Sequence, residues 1–163
     1  MTRKAFFSFH YERDIWRACQ VRNCWVTKPD RETAGFWDKA SWEEIKRKGD
    51  ESVKAWIRKQ LDGTSVTVVL IGNETSNRKY VIYEIQQSHV RGNGIFGIYI
   101  HNQKDCNGNS DTKGNNPFDQ LYIERDGRRV YLAEIYPTYD WKWDEGYDNI
   151  AIWIEKAAKA AGR

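Results

Sequence analysis

The sequence predicts an α/β protein, a flavodoxin-like three-layer sandwich around a mostly parallel central sheet. Three observations lead there. Residues 64–72 (TSVTVVLIG) are an apolar, β-branched run of strand length between Asp62-Gly63 and Gly72-Asn73, the pattern of a strand buried on both faces. Residues 78–90 (RKYVIYEIQQSHV) then place Val81, Ile82, Ile85 and His89 at helical spacings, so a helix packs back on that strand. Residues 94–100 (GIFGIYI) are again almost continuously apolar and supply the next strand. Strand, helix, strand in this order implies parallel pairing through right-handed crossovers, with helices on both faces.

The remaining elements follow in order. Residues 4–9 (KAFFSF) read as a first strand, which His10, Tyr11, Glu12 and Arg13 leave as a polar aromatic turn. From Asp14 onward, Ile15, Ala18, Cys19 and Val21 read as a helix. Residues 24–27 (CWVT) read as a short second strand stopped by Pro29. Residues 30–40 have neither period and read as a long loop containing Gly35, Phe36 and Trp37. Ser41 with Glu44 three residues later fits a capping box. Asp50 restarts a helix with one apolar stripe through Val53, Trp56, Ile57 and Leu61. Residues 101–116, rich in Asn, Gly, Asp and Lys, read as an exposed loop. Residues 129–135 (RVYLAEI) read as a last, edge strand, which makes five. Residues 140–147 read as the lead into a final helix, with Asp144 as a possible cap. That helix carries Tyr147, Ile150, Ala151, Ile154, Ala157, Ala158 and Ala161 and ends at Gly162.

No internal repeat, linker or composition break divides the chain, so residues 1–163 are expected to be a single domain. A net charge of +3, spread along the chain, argues against a dedicated nucleic-acid binder. No run approaches the ~18 apolar residues of a membrane span, and the first residues lack signal-peptide features. Cys19, Cys24 and Cys106 cannot all pair and match no zinc spacing; they read as reduced thiols of a cytoplasmic protein. His10, His89 and His101 show no metal spacing either, so no metal is expected. Eight tryptophans and nine tyrosines are unusual beside so low a mean hydropathy. Some are expected at a site, where ring faces stack on planar ligands.

The short polar loop after the strand at 64–72 leaves its carboxyl end, where open α/β sheets build their sites. On the helix that follows, Tyr80 and Glu84 are four residues apart and project together. With Asn77 as the cap, Glu84 lies about 10 Å from the helix tip. It can act only across a cleft between this helix and the loop leaving the first strand. The residues alone leave open that Glu84 is a solvated helix glutamate. At the end of the first strand, Ser8 alternates with Phe7 and Phe9, and His10, Tyr11, Glu12 and Arg13 cluster beyond. A general base at His10 would need a partner that the sequence does not display. Neither common type of glycine-rich phosphate loop is present, which argues against a Rossmann or P-loop nucleotide site, and no G-x-S-x-G elbow occurs.

Several motifs together resemble the TIR-like subunit of the Thoeris anti-phage system. They are FFSFHY at 6–11, VRNCWVTK at 21–28, TSVTVVLIG with NRKYVIYEI at 64–72 and 77–85, and YDWKWDEGYDN at 139–149. They run in order over nearly the whole chain. The resemblance implies a TIR-like, flavodoxin-like fold and a cytoplasmic enzyme of antiviral defence with NAD as substrate and no added cofactor. It implies cleavage of the nicotinamide–ribose bond and formation of a cyclic or modified ADP-ribose signal. That diffusible nucleotide would activate a downstream effector, after a phage-derived trigger and with self-association of the chain. The family's catalytic glutamate falls on Glu84, and the aromatic four residues earlier, commonly tryptophan, is Tyr80. Phe6, Ser8, His10 and Tyr11 fall on the segment that lines the family's substrate cleft, and Asn23 and Trp25 on a further matching segment. The alternative is a non-catalytic TIR-like domain that acts through assembly alone. A phosphoryl-accepting receiver is a poor fit, because the first strand ends in Phe9-His10-Tyr11 and no aspartate follows Ile71.

Overall fold

The computed structural model describes residues 2–163. Five parallel strands form the central sheet: β1 (Arg3–Ser8), β2 (Arg31–Ala34), β3 (Val66–Ile71), β4 (Gly94–Tyr99) and β7 (Thr138–Asp140). Their order is β2-β1-β3-β4-β7, the flavodoxin-like winding the alternation of elements predicted. β3 is the centre: all six residues, VTVVLI, are buried, with β1 on one side and β4 on the other. One face is covered by α1 (Tyr11–Val26) and α5 (Gly146–Ala160), which pack on Phe7, Val68, Phe96 and Ile98. The other carries α2 (Lys39–Arg47), α3 (Asp50–Leu61) and α4 (Lys79–Val90), over Phe6, Val69, Ile71 and Ile95.

Several expectations are corrected. Residues 24–26 end α1 and do not form a strand, because Trp25 continues the buried stripe of Asp14, Arg17, Ala18 and Val21 at helical spacing. The second strand is instead Arg31–Ala34, inside the segment read as a loop. Its polar RETA sequence is possible because β2 is an edge strand, paired only to β1. The cap of α2 is Asp38, whose carboxylate accepts the Ser41 backbone N–H at 2.8 Å. Asn77 closes a short 3₁₀ turn, and Arg78 stands at the N-cap of α4 without a side-chain capping bond.

Arg128–Tyr131 (β6) does not join the central sheet. It pairs antiparallel with Tyr122–Arg125 (β5) in a separate two-stranded ribbon. The fifth strand of the sheet is Thr138–Asp140, which overlaps the start of the segment that reads as the lead into the last helix. Asp144 is not the cap of α5: its carboxylate accepts the Asp140 N–H at 2.7 Å and closes the turn after β7. The loop at 101–116 is more firmly held than its composition implies. His101 and Asn116 are buried, and Arg17 donates to the carbonyls of Gln103 (2.8 Å) and Asn109 (3.0 Å). Among the described residues no helix is long and apolar enough to cross a membrane, and no group of three or more acids, histidines or cysteines could hold a metal ion.

Candidate active site

The strand order reverses between β1 and β3, since the chain leaves β1 toward β2 and then crosses back. In open α/β sheets the crevice outside the carboxyl ends of the strands at such a switch point is where ligands bind. Here it is roofed and walled by aromatic side chains. β1 delivers Ser8 and then His10 and Tyr11, while α4 brings Tyr80 and Glu84 from the side. Gly35, just after β2, passes directly over the Phe7 carbonyl at φ +91°, where any Cβ would collide with that oxygen.

Glu84 lies at the base of this cleft, 6% exposed. It is therefore a buried carboxyl and not a solvated helix residue. Its side-chain partner is the Ser8 hydroxyl, which donates to Oε1 at 2.8 Å. Burial pushes its pKa up to about 8, with the Ser8 hydrogen bond pulling in the opposite direction. Ser8 can reach it because alternation on β1 turns Phe6 and Ser8 toward α3 and α4, and Phe7 and Phe9 toward α1.

Above Glu84 the side chains close on one another. Trp42, 5% exposed, meets Tyr80 edge-on at 6.3 Å, Tyr11 at 5.7 Å and Trp37 at 4.5 Å between ring centroids. Its indole N–H donates to Glu12 Oε1 at 3.0 Å, and Lys46 donates to the same oxygen at 3.0 Å. Tyr80 donates to Asp50 at 2.9 Å, which Lys79 and Lys54 also approach. His10 is buried, its Nδ1 unpartnered and its Nε2 3.5 Å from Glu12. Burial, then the nearby Arg78 guanidinium, lowers its pKa, so at neutral pH it is an uncharged ring. The space left in the cleft is only about 50 Å³. Small-molecule sites run to roughly 300–1,000 Å³, so this one is shut.

The rim is ionic. Arg13 forks onto Asp111 at 2.8 and 3.0 Å and also pairs with Glu74, which accepts from Arg78 at 3.1 Å. Arg78 lines the cleft. The loop at 101–116, the turn after β3 and the mouth of the site are thus joined by one chain of charges.

Of the residues singled out in the sequence, Ser8, His10, Tyr11, Tyr80 and Glu84 come together here. Phe6 is fully buried beneath the cleft, beside Trp42, Val53 and Ile57. Asn23 and Trp25 do not join them, since they lie on the last turn and a half of α1, which runs back from the carboxyl end of the sheet. Asn23 is exposed and accepts from Arg22, while Trp25 packs against Phe7 in the core. Sequence reasoning missed Trp42, Trp37 and Arg78. The surplus of tryptophan was the available signal, but it carried no indication of which rings would converge.

A five-stranded parallel sheet of this order, with helices on both faces, is consistent with a TIR-like domain. The family model described as "Thoeris protein ThsB, TIR-like domain" matches residues 6–105. A relative from Bacillus cereus (strain MSX-D12), named "Putative cyclic ADP-D-ribose synthase ThsB1", is 37% identical over 191 aligned positions, covering 94% of this chain and 100% of the relative. The chain belongs to the Thoeris ThsB family of TIR-like proteins.

Proposed function

We propose that this protein consumes NAD, breaking the nicotinamide–ribose bond and converting the ADP-ribosyl part into a cyclic or otherwise modified ADP-ribose that activates a partner effector in antiviral defence. The observation that carries the reading is the buried Glu84 carboxyl, held by Ser8 at the base of an aromatic cleft. The name of the Bacillus cereus relative points to the same chemistry.

The bond between the ribose C1′ and the pyridinium nitrogen breaks with its electron pair going to nicotinamide, which leaves as a neutral base. The ribosyl centre becomes oxocarbenium-like, and an oxygen or ring nitrogen of the same ADP-ribosyl group closes onto C1′, a hydroxyl passing its proton to the Glu84 carboxylate as it does so. A carboxylate beside C1′ stabilises the developing positive charge. Glu84 is predominantly protonated in the closed cleft, but the fixed positive charge of nicotinamide favours its ionised form. Substrate entry therefore charges the residue at the moment its charge is needed. The Ser8 hydroxyl remains as a donor that fixes the carboxylate. Trp37, Trp42 and Tyr80 provide planar faces for the bases and exclude water, which favours intramolecular capture over hydrolysis. No metal or added cofactor has a part in this scheme.

A cleft of about 50 Å³ does not admit a dinucleotide. Catalysis in this reading requires the segment from Gly35 through α2 to swing away, which fits an enzyme that waits for a phage-derived trigger and self-association. The test is mass spectrometry of nucleotides from infected cells carrying the wild type or Glu84→Gln. A new ADP-ribose-derived species is expected with the wild type, and a loss of about 10²–10³-fold or more with the variant. Undiminished product from a folded Glu84→Gln protein would remove the assignment.

A further inference from the structure

The opposite end of the sheet, where β4 and β7 begin, carries a second concavity. The end of α4, the start of β4, the approach to β7 and the C-terminal half of α5 enclose a groove of about 650 Å³. That is well within the range of small-molecule sites, roughly 300–1,000 Å³. It is separate from the Glu84 cleft and shares no lining residue with it.

Its chemistry is consistent around the wall. Inside, Tyr139 lies flat on Trp153, centroids 4.2 Å apart and planes within 4°. The wall also carries the small residues Ala157, Ala160, Ala161 and Gly92, along with Ile135 and Tyr136, while Gly94 packs closely on the Ala157 backbone. At the rim stand Arg125 and Lys156, neither of which makes an ion pair or side-chain hydrogen bond with the described residues. His89 is held by Tyr136 Oη through Nδ1. None of the lining residues is acidic. A groove with aromatic and alanine walls and two unpaired cations, but no carboxylate, is complementary to an anion that carries a ring.

We propose that this groove binds a small aromatic anion of the nucleoside monophosphate class. The base lies against the Tyr139–Trp153 stack, and the phosphate is held by Arg125 and Lys156. The proposal is independent of the reaction assigned to Glu84.

The test is titration of the ¹⁵N-labelled full chain with AMP, read by amide and indole N–H shifts. Saturating shifts are expected at Gly92, Gly94, Ala157, Ala160 and the Trp153 indole, with Kd of about 1 mM or below. The double variant Arg125→Glu, Lys156→Glu should bind at least about tenfold more weakly, and added salt should weaken the wild type. If the double variant loses its dispersed spectrum, Lys156→Gln is read instead, with a smaller loss. No shifts at about 10 mM AMP, shifts confined to His10, Tyr11, Arg78 and Glu84, or affinity unchanged by the substitutions would each overturn the proposal. Adenosine and inorganic phosphate are the controls. Either one binding as tightly as AMP would overturn the two-part recognition, since it makes the other half of the groove irrelevant.

Discussion

Asp14 on α1 and Glu84 on α4 are both buried carboxyls, and burial pushes both above their ordinary range, Asp14 to about 6 and Glu84 to about 8. What faces them differs. Asp14 has the Arg17 guanidinium at 3.3 Å, itself 3% exposed, and lies so close to Gly72 that a Cβ there would collide with the carboxylate. Glu84 has a serine hydroxyl and an aromatic cavity. At pH 7 the first is largely ionised beside the Arg17 countercharge, with its Oδ2 left without a hydrogen bond, while the second holds a proton and lacks a countercharge. A perturbed carboxyl identifies a site only when its missing partner could be a ligand. Asp14 has its partner, and Glu84 does not.

The largest effects should separate the two on activity. Glu84→Gln is expected to abolish nucleotide product, whereas Asp14→Asn, if it folds, should keep it within about tenfold, because the Asp14 side chain does not line the cleft. Equal losses in product assays of the two variants would break the contrast.

Stability should separate them next, with opposite signs. Arg17→Met removes the countercharge of Asp14 and two donors to the loop at 101–116. Removing one partner of a buried pair typically costs about 3–5 kcal/mol, and urea denaturation should show a loss of that order. Glu84→Gln should instead stabilise. The folded-state pKa near 8 lies above the ordinary 4.5, so between those values the folded protein retains a proton that the unfolded chain has lost. Stability from this group therefore falls as pH rises through that window. The variant should gain on the order of 1–3 kcal/mol over wild type at pH 8 and nothing near pH 4, where both states are protonated. A pH-independent difference between the two melting curves would mean that Glu84 is ionised in the free protein.

The two carboxyls also mark how far the sequence could be read. The place of Glu84 on the helix after β3 is legible from that helix's apolar period and the strand before it, but the residues alone leave its burial open, and its role is what the family resemblance implies. Asp14 was visible only as a residue near the start of a helix. Its burial depends on Arg17, Gly72 and the loop at 101–116, contacts between segments that no local pattern records. The same limit explains the strands. β1, β3 and β4 are buried on both faces and announce themselves as apolar runs. β2 and β7 are edge strands of four and three residues, too short and polar for any period to register. In the site, Tyr80 could be placed by its spacing from Glu84. Trp42 could not, because its place over the cleft is set by the packing of α2 against α1 and α3.

That packing leads to the smallest effect, and the one that bears on how the site opens. Trp42 is latched by the Glu12 carboxylate, which also accepts from Lys46. Glu12→Ala removes both bonds but leaves the ring contacts among Trp42, Trp37, Tyr11 and Tyr80. The partly exposed carboxylate contributes little to global stability, about 1 kcal/mol. Its effect should instead be local: the Trp42 indole N–H should exchange with solvent faster, while amides of β3 and β4 keep their protection. If the closed cleft limits substrate entry, the same variant should process NAD with less dependence on the trigger. Faster exchange with no gain in basal turnover would separate loosening of the lid from activation, and would place the limiting step in assembly of the site between protomers.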